Sequence, residues 1–140
     1  MKTLYTSNYA MNGKNPDAIG ISFIVPAWFQ GKTITKVAPT LEMISKTHGW
    51  VRADEYDVEE YTKDYINLLE SRNINPQDLV DEIPDGAILL CYERPDEFCH
   101  RHVLAEWVQS HTGVIVTECK SEKEIKVDNR NKMVDSLVDF

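Results

Sequence analysis

The sequence predicts a small single-domain α/β protein with a mostly parallel sheet flanked by helices, a Rossmann-like three-layer arrangement. Three observations carry this. Residues 18–26 (Ala-Ile-Gly-Ile-Ser-Phe-Ile-Val-Pro) and 87–93 (Ala-Ile-Leu-Leu-Cys-Tyr-Glu) are near-continuous apolar runs of strand length, the pattern of strands covered on both faces. A helical segment at about 98–112 stands between the second of these and the β-branched run 114–119. Strand–helix–strand at this spacing implies a parallel pair joined by a right-handed crossover. Finally, 140 residues with 42% apolar and 27% charged content suit one globular core.

Residues 2–9 read as a first strand running into a polar turn, where Asn12-Gly13 and Asn15-Pro16 punctuate the chain. The run 18–26 stops at Pro26, and a loop follows through Thr33. Residues 39–47 offer Leu41 and Ile44 at helical spacing, with Gly49 as the stop. Residues 57–72 form a clearer helix, with Asp57 as cap, Glu60 three residues on, and Tyr61, Tyr65, Leu68 and Leu69 as one stripe. Asn75-Pro76 opens a short helix through Ile83 with proline at its first position. Asp85-Gly86 turns the chain into the strand 87–93, and Gly113 ends the helix that follows. One domain therefore spans 1–119. Residues 120–140 form a polar tail that either docks through Met133, Leu137 and Phe140 as a terminal helix or is disordered.

Several functions are excluded. No apolar run approaches the roughly 20 residues needed to span a bilayer, and no apolar segment follows Lys2 as in a signal peptide. Three cysteines, an odd number, argue for reduced thiols and a cytoplasmic location rather than a disulfide framework. The net charge is −8, and the basic residues from Lys120 to Lys132 are interleaved with Glu122, Glu124 and Asp128. Non-specific binding to nucleic acid or an anionic membrane is not expected, whereas a small basic pocket for an anion is compatible with this charge.

Chemistry concentrates in Cys91-Tyr-Glu93-Arg-Pro-Asp-Glu-Phe-Cys99-His100-Arg101. Strand alternation aims Cys91 and Glu93 the same way at a strand's carboxyl end, where open α/β sheets hold ligands. At about 100° per residue, His100 falls inside the arc of Val103, Leu104, Trp107 and Val108. It therefore aims at the sheet, with Cys99 and Arg101 flanking it, Arg101 at the rim and His102 toward solvent. The first turn of that helix offers backbone N–H groups and a positive dipole end, which favour an anion and lower a cysteine's pKa.

Each residue also has a plain reading. Cys91 and Cys99 can be small buried apolar residues, and His100 a satisfied core histidine. Arg101 can pair with Glu93 or Glu97, and Glu93 can be a structural partner rather than an acid or base. A metal held by Cys91, Cys99, His100 and Cys119 is not expected, because adjacent Cys-His is not a usual zinc pair and no C-x-x-C is present. No cofactor motif occurs: both the dinucleotide and the P-loop glycine patterns are missing. Trp28 and Phe29, after Pro26, can wall a pocket at another strand end, while Tyr61 and Tyr65 read as core.

The segment from Ala87 to Trp107, with Cys91-x-Glu93, five intervening residues and then Cys99-His100-Arg101, resembles the signature of domain of unknown function 488 (DUF488), a bacterial, archaeal and phage family. Thr6-Ser7-Asn8-Tyr9, Pro26 to Gly31 with Ala38-Pro39-Thr40, and the helix around Tyr61 and Tyr65 are similar to other parts of it. The resemblance spans about 3–118 and implies a compact α/β fold in which the five motif residues form one site. It supplies no activity.

Together these point to an enzyme acting on a small anionic ligand, such as a nucleotide or modified nucleobase. Cys91, Glu93, Cys99 and His100 are its catalytic candidates, with His100 as acid or base, Glu93 orienting it and Cys99 or Cys91 as nucleophile, and Arg101, Ser7, Asn8 and Trp28 are its ligand-binding candidates. The alternative is a non-catalytic module that uses the same pocket to bind a ligand or a protein.

Overall fold

The computed structural model describes residues 2–43, 58–93 and 99–119. Its elements are β1 (Thr3–Asn8), α1 (Tyr9–Asn12), β2 (Ala18–Gly20), β3 (Lys32–Thr33), a 3-10 turn (Thr35–Val37), α2 (Val58–Ser71), α3 (Pro76–Glu82), β4 (Ile88–Cys91), α4 (His100–Thr112) and β5 (Ile115–Glu118). Among the described residues the strands form one five-stranded sheet in the order β3-β2-β4-β1-β5, parallel throughout. The α/β class with a parallel sheet flanked by helices is the observed architecture.

Alternation along the strands gives each face its own core. Leu4, Ile19, Ile21 and Leu89 pack on one side with Tyr61, Tyr65 and Leu69 of α2, Leu79 and Val80 of α3, and Val103, Leu104, Trp107 and Val108 of α4. Tyr5, Ala18, Ile88 and Leu90 pack on the other with Tyr9, Phe29 and Cys119. Local signals explain the helix ends. Asn75 Oδ1 accepts from the Gln77 and Asp78 amides (2.9 and 3.1 Å) with Pro76 in the first turn. Gly113 ends α4 at φ 75°, a conformation that glycine adopts without steric cost.

Four expectations need correction. The first strand ends at Asn8, because the Asn8 side chain accepts from the Met11 amide (2.8 Å) and starts the one-turn helix α1 where a polar turn is expected. The second strand is three residues long rather than nine. Ile21 still donates to Leu90 O (3.0 Å), but Ser22 Oγ then donates to Ile24 O and pairs with the Tyr9 hydroxyl, and Phe23 and Ile24 emerge as exposed residues. The loop expected after it contains the short edge strand β3. Lastly, β4 and β5 are parallel but not neighbours: β1 lies between them, so the α4 crossover passes over a strand.

Leu41 is exposed while Met43 is buried, so the first residue of the expected 39–47 stripe faces outward. Ile44, Gly49, the Asp57 cap, Glu97, Phe98 and the 120–140 tail lie outside the described residues.

Candidate functional site

The chain leaves β1 toward β2 through α1, whose Tyr9 packs on one face of the sheet, and leaves β4 toward β5 through α4 on the other. The adjacent carboxyl ends of β1 and β4 thus flank the crevice where connections diverge, the usual ligand position in such sheets. Asn8 and Cys91 are register partners there. Asn8 Nδ2 donates to Glu93 O (3.2 Å), holding the chain as it leaves β4.

His100, in the first turn of α4, is buried as its helical position predicts. Its Nε2 lies 2.9 Å from Ile21 O, and its ring meets the Tyr65 ring edge-on at 5.6 Å. A carbonyl only accepts, so Nε2 carries the proton and the neutral ring's lone pair is on Nδ1. Nδ1 faces Cys99 Sγ at 3.5 Å. The Ile21 carbonyl therefore does the orienting that the sequence reading gave to Glu93.

Cys91 and Cys99 are both buried and their sulfurs meet. Their Cα atoms stand 7.8 Å apart, beyond the roughly 4.4–6.8 Å that a disulfide spans. The pair is two thiols brought together rather than a staple. The donor atoms of Cys91, Cys99 and His100 lie within 4.8 Å of one another. Adjacency of Cys99 and His100 does not keep their donors apart, contrary to the sequence argument against a metal. Cys119 is not in this group. It follows Glu118 and so turns to the opposite face, buried with Tyr5 and Leu90, and β1 also separates β5 from β4.

Arg101 departs most from expectation. It is fully buried, not at the rim. Nε and Nη2 make a two-pronged contact with Glu118 (2.9 and 3.0 Å), and Nη1 donates to Cys91 Sγ and Glu93 O (both 2.9 Å). Glu118 also accepts from Thr6 Oγ1 (2.7 Å), its register partner on β1. The guanidinium is therefore occupied by Glu118, a partner that the sequence reading did not consider. Strand alternation carries the signal for it, since Val116, packed on the α4 side, and Glu118 share a face. His102, expected in solvent, is half-buried with Nδ1 3.7 Å from Glu118 Oε1.

Glu93 is half-buried, and its Oε2 lies 3.2 Å from Cys91 Sγ, which donates to it when protonated. Ser7 is buried with its Oγ accepting from Asn12 Nδ2 (2.7 Å). Asn12, missed in the sequence, leaves its buried Oδ1 without a hydrogen-bond partner among the described residues. Trp28 is half-exposed and lines a cavity of about 480 Å³ with Tyr9, Ala10, Met11, Gly13 and Lys14. Cys91, Cys99, His100 and Arg101 are not in that lining, so Trp28 and the cysteine cluster are not brought together.

No helix among the described residues is long and apolar enough to cross a membrane. No curated protein and no solved structure matches the chain. A family model described as the active DUF488-N3 subclade matches residues 22–112, a span that holds the five motif residues and Trp28 but not Ser7, Asn8 or Glu118. With most of its length matched, the chain belongs to the DUF488 family, in that subclade.

Proposed function

We propose that the protein is an enzyme acting on a small anionic ligand of the nucleotide or modified-nucleobase class, with Cys91 supplying the reacting sulfur. One observation carries the reading: Arg101 Nη1 donates to the buried Cys91 Sγ at 2.9 Å, at the carboxyl end of a central strand. A fixed cation beside a sulfur favours its thiolate, the form that attacks electrophiles. Glu93 Oε2, on the same sulfur, is the base that takes the thiol proton. Since Glu118 occupies the guanidinium, ligand binding shifts from Arg101 to the His100 and Arg101 amides at the start of α4, the His102 amide being bonded to Cys99 O and the cap residue Cys99 making no side-chain capping bond. The subclade's description as active supports catalysis over a purely binding role. A reactive thiol pair also suits a reducing, cytoplasm-like compartment.

Iodoacetamide labelling of the reduced, chelator-treated chain, read by mass spectrometry, tests this. An ordinary thiol is only a few per cent thiolate at neutral pH, so a fully ionised Cys91 reacts about tenfold faster than Cys119 after allowance for its lower nucleophilicity. Equal, denaturant-dependent labelling of all three cysteines overturns the reading.

A further inference from the structure

The donor set of the cluster suits a metal ion. Cys91 Sγ, Cys99 Sγ and a His100 nitrogen, all on buried residues, lie within 4.8 Å of one another. Donors bound to one tetrahedral ion at about 2.0–2.3 Å lie roughly 3.5 Å from each other, so side-chain rotations that part the two touching sulfurs and keep the imidazole near seat an ion among the three. The 7.8 Å between the Cys91 and Cys99 Cα atoms points the same way. It is too wide for a direct sulfur–sulfur bond, whereas an ion between the sulfurs lengthens the bridge.

The surroundings match what a metal-ligating histidine requires. Such a ring donates its other N–H to a carbonyl or carboxylate, which fixes its tautomer and orientation. Here Nε2 is committed to Ile21 O at 2.9 Å, Tyr65 packs edge-on against the ring, and Nδ1 is left facing Cys99 Sγ. Arg101 Nη1 supplies the corresponding outer contact to Cys91 Sγ. Two thiolates neutralise a divalent cation and Arg101 and Glu118 neutralise each other, which leaves the Glu93 carboxylate beside Cys91 Sγ as a further negative group that favours a cation.

We propose that Cys91, Cys99 and His100 bind a thiophilic divalent cation, zinc by their donor chemistry, through two sulfurs and Nδ1. Two thiolates and an imidazole select zinc over the harder cations that prefer oxygen. Among the described residues three donors converge, which leaves a fourth coordination position to the ligand, the layout of catalytic rather than structural zinc sites. This rests on the cluster being the reaction centre: the ion keeps Cys91 deprotonated and offers the open position to the ligand's anionic group.

The test uses the full chain, purified under reducing conditions without chelator. Elemental analysis is expected to find about one zinc per chain, or to reach that level after zinc is added to apo protein. Cobalt(II) added to apo protein is expected to give thiolate charge-transfer and tetrahedral ligand-field bands that zinc abolishes. Cys91→Ser, Cys99→Ser and His100→Gln each lose the metal, and Cys119→Ser keeps it. His100→Gln retains a donor for the Ile21 carbonyl while deleting the liganding nitrogen, and circular dichroism confirms that each variant is folded. If a variant fails to fold, protection of Cys91 and Cys99 from iodoacetamide by zinc in the wild-type chain gives the same answer. The proposal is overturned by folded, reduced wild-type chain that takes up less than about 0.1 zinc, or by unchanged zinc in a folded Cys91→Ser/Cys99→Ser chain. Fast labelling of Cys91 in a chain that takes up no zinc removes the metal and leaves the thiol enzyme standing. Zinc uptake with sluggish labelling of apo Cys91 does the reverse.

Discussion

Glu118→Gln isolates the contact on which the site's geometry depends. Arg101 is fully buried and Glu118 about one-fifth exposed, so the substitution leaves a buried guanidinium without a counter-charge. Removing one partner of a fully buried pair costs about 3–5 kcal/mol. Two features reduce this. The carboxylate's partial exposure screens the pair, and glutamine keeps one oxygen for Arg101 Nε or Thr6 Oγ1. A third works against stability: the glutamine NH2 now confronts a guanidinium N–H, forfeiting a charge-assisted bond of about 1.5–3 kcal/mol. The net expectation is a loss of about 2–4 kcal/mol, a melting-point drop on the order of 10 °C for a chain of this size. Urea unfolding followed by circular dichroism reads it as a lower midpoint at constant slope. Replacing both partners, Arg101→Met with Glu118→Leu, recovers much of the loss because no unpaired charge remains. A Glu118→Gln change smaller than about 0.5 kcal/mol refutes the reasoning. It would mean that Arg101 does not depend on Glu118 and is available to bind an anion.

Three further outcomes follow from individual contacts. Asn75→Ala removes the acceptor for the Gln77 and Asp78 amides and is expected to cost about 1 kcal/mol by urea titration, with little change in thiol labelling. Leu104→Ala, at a fully buried α4 position, is expected to cost about 2–5 kcal/mol, and a loss under 1 kcal/mol would contradict its place in the core. Burial holds the Tyr65 phenol well above its ordinary value, assisted by Tyr61 and opposed by Arg72. The unfolded chain then gives up this proton first, so stability is level below about pH 10 and falls by up to about 1.4 kcal/mol per unit above it. Tyr65→Phe flattens that decline while losing about 1 kcal/mol at neutral pH with the bond to Val37 O; an unchanged alkaline slope removes Tyr65 as its source.

Features governed by local rules were legible in the sequence. Asn75-Pro76, Gly113, the Tyr61/Tyr65/Leu68/Leu69 stripe and the inward direction of His100 each follow from capping chemistry or helical period, and the structure has them as read except that Leu68 is only partly buried at the edge of its stripe. What failed depended on partners distant in sequence. The 18–26 run looks like a long strand because all its residues are apolar. The hydroxyl pair between Tyr9 and Ser22 turns the chain out of the sheet, and no periodicity encodes that. The position of β1 between β4 and β5 is likewise a choice of topology, and it separates Cys119 from Cys91, whose strands read as neighbours in the sequence. Arg101 was placed at the rim because helical angle alone gives only a direction. Its burial follows from a carboxylate 17 residues later that meets it across the crossover.

That carboxylate changes how the site should be probed. Glu118 ends β5, Thr6 lies on β1 and Cys91 ends β4, and Arg101 or its partner touches all three. The guanidinium thus ties the edge strand to the centre of the sheet as well as attending the Cys91 sulfur. Loss of activity in an Arg101 variant would conflate broken sheet contacts with lost chemistry. Cys91→Ser and Cys99→Ser change single atoms near the start of α4, and His100→Gln keeps the Ile21 contact, so none of them removes the Arg101–Glu118 pair. Separation of stability from labelling and metal uptake across these variants, against their joint collapse in Glu118→Gln, is what distinguishes a reaction centre from a buried polar joint.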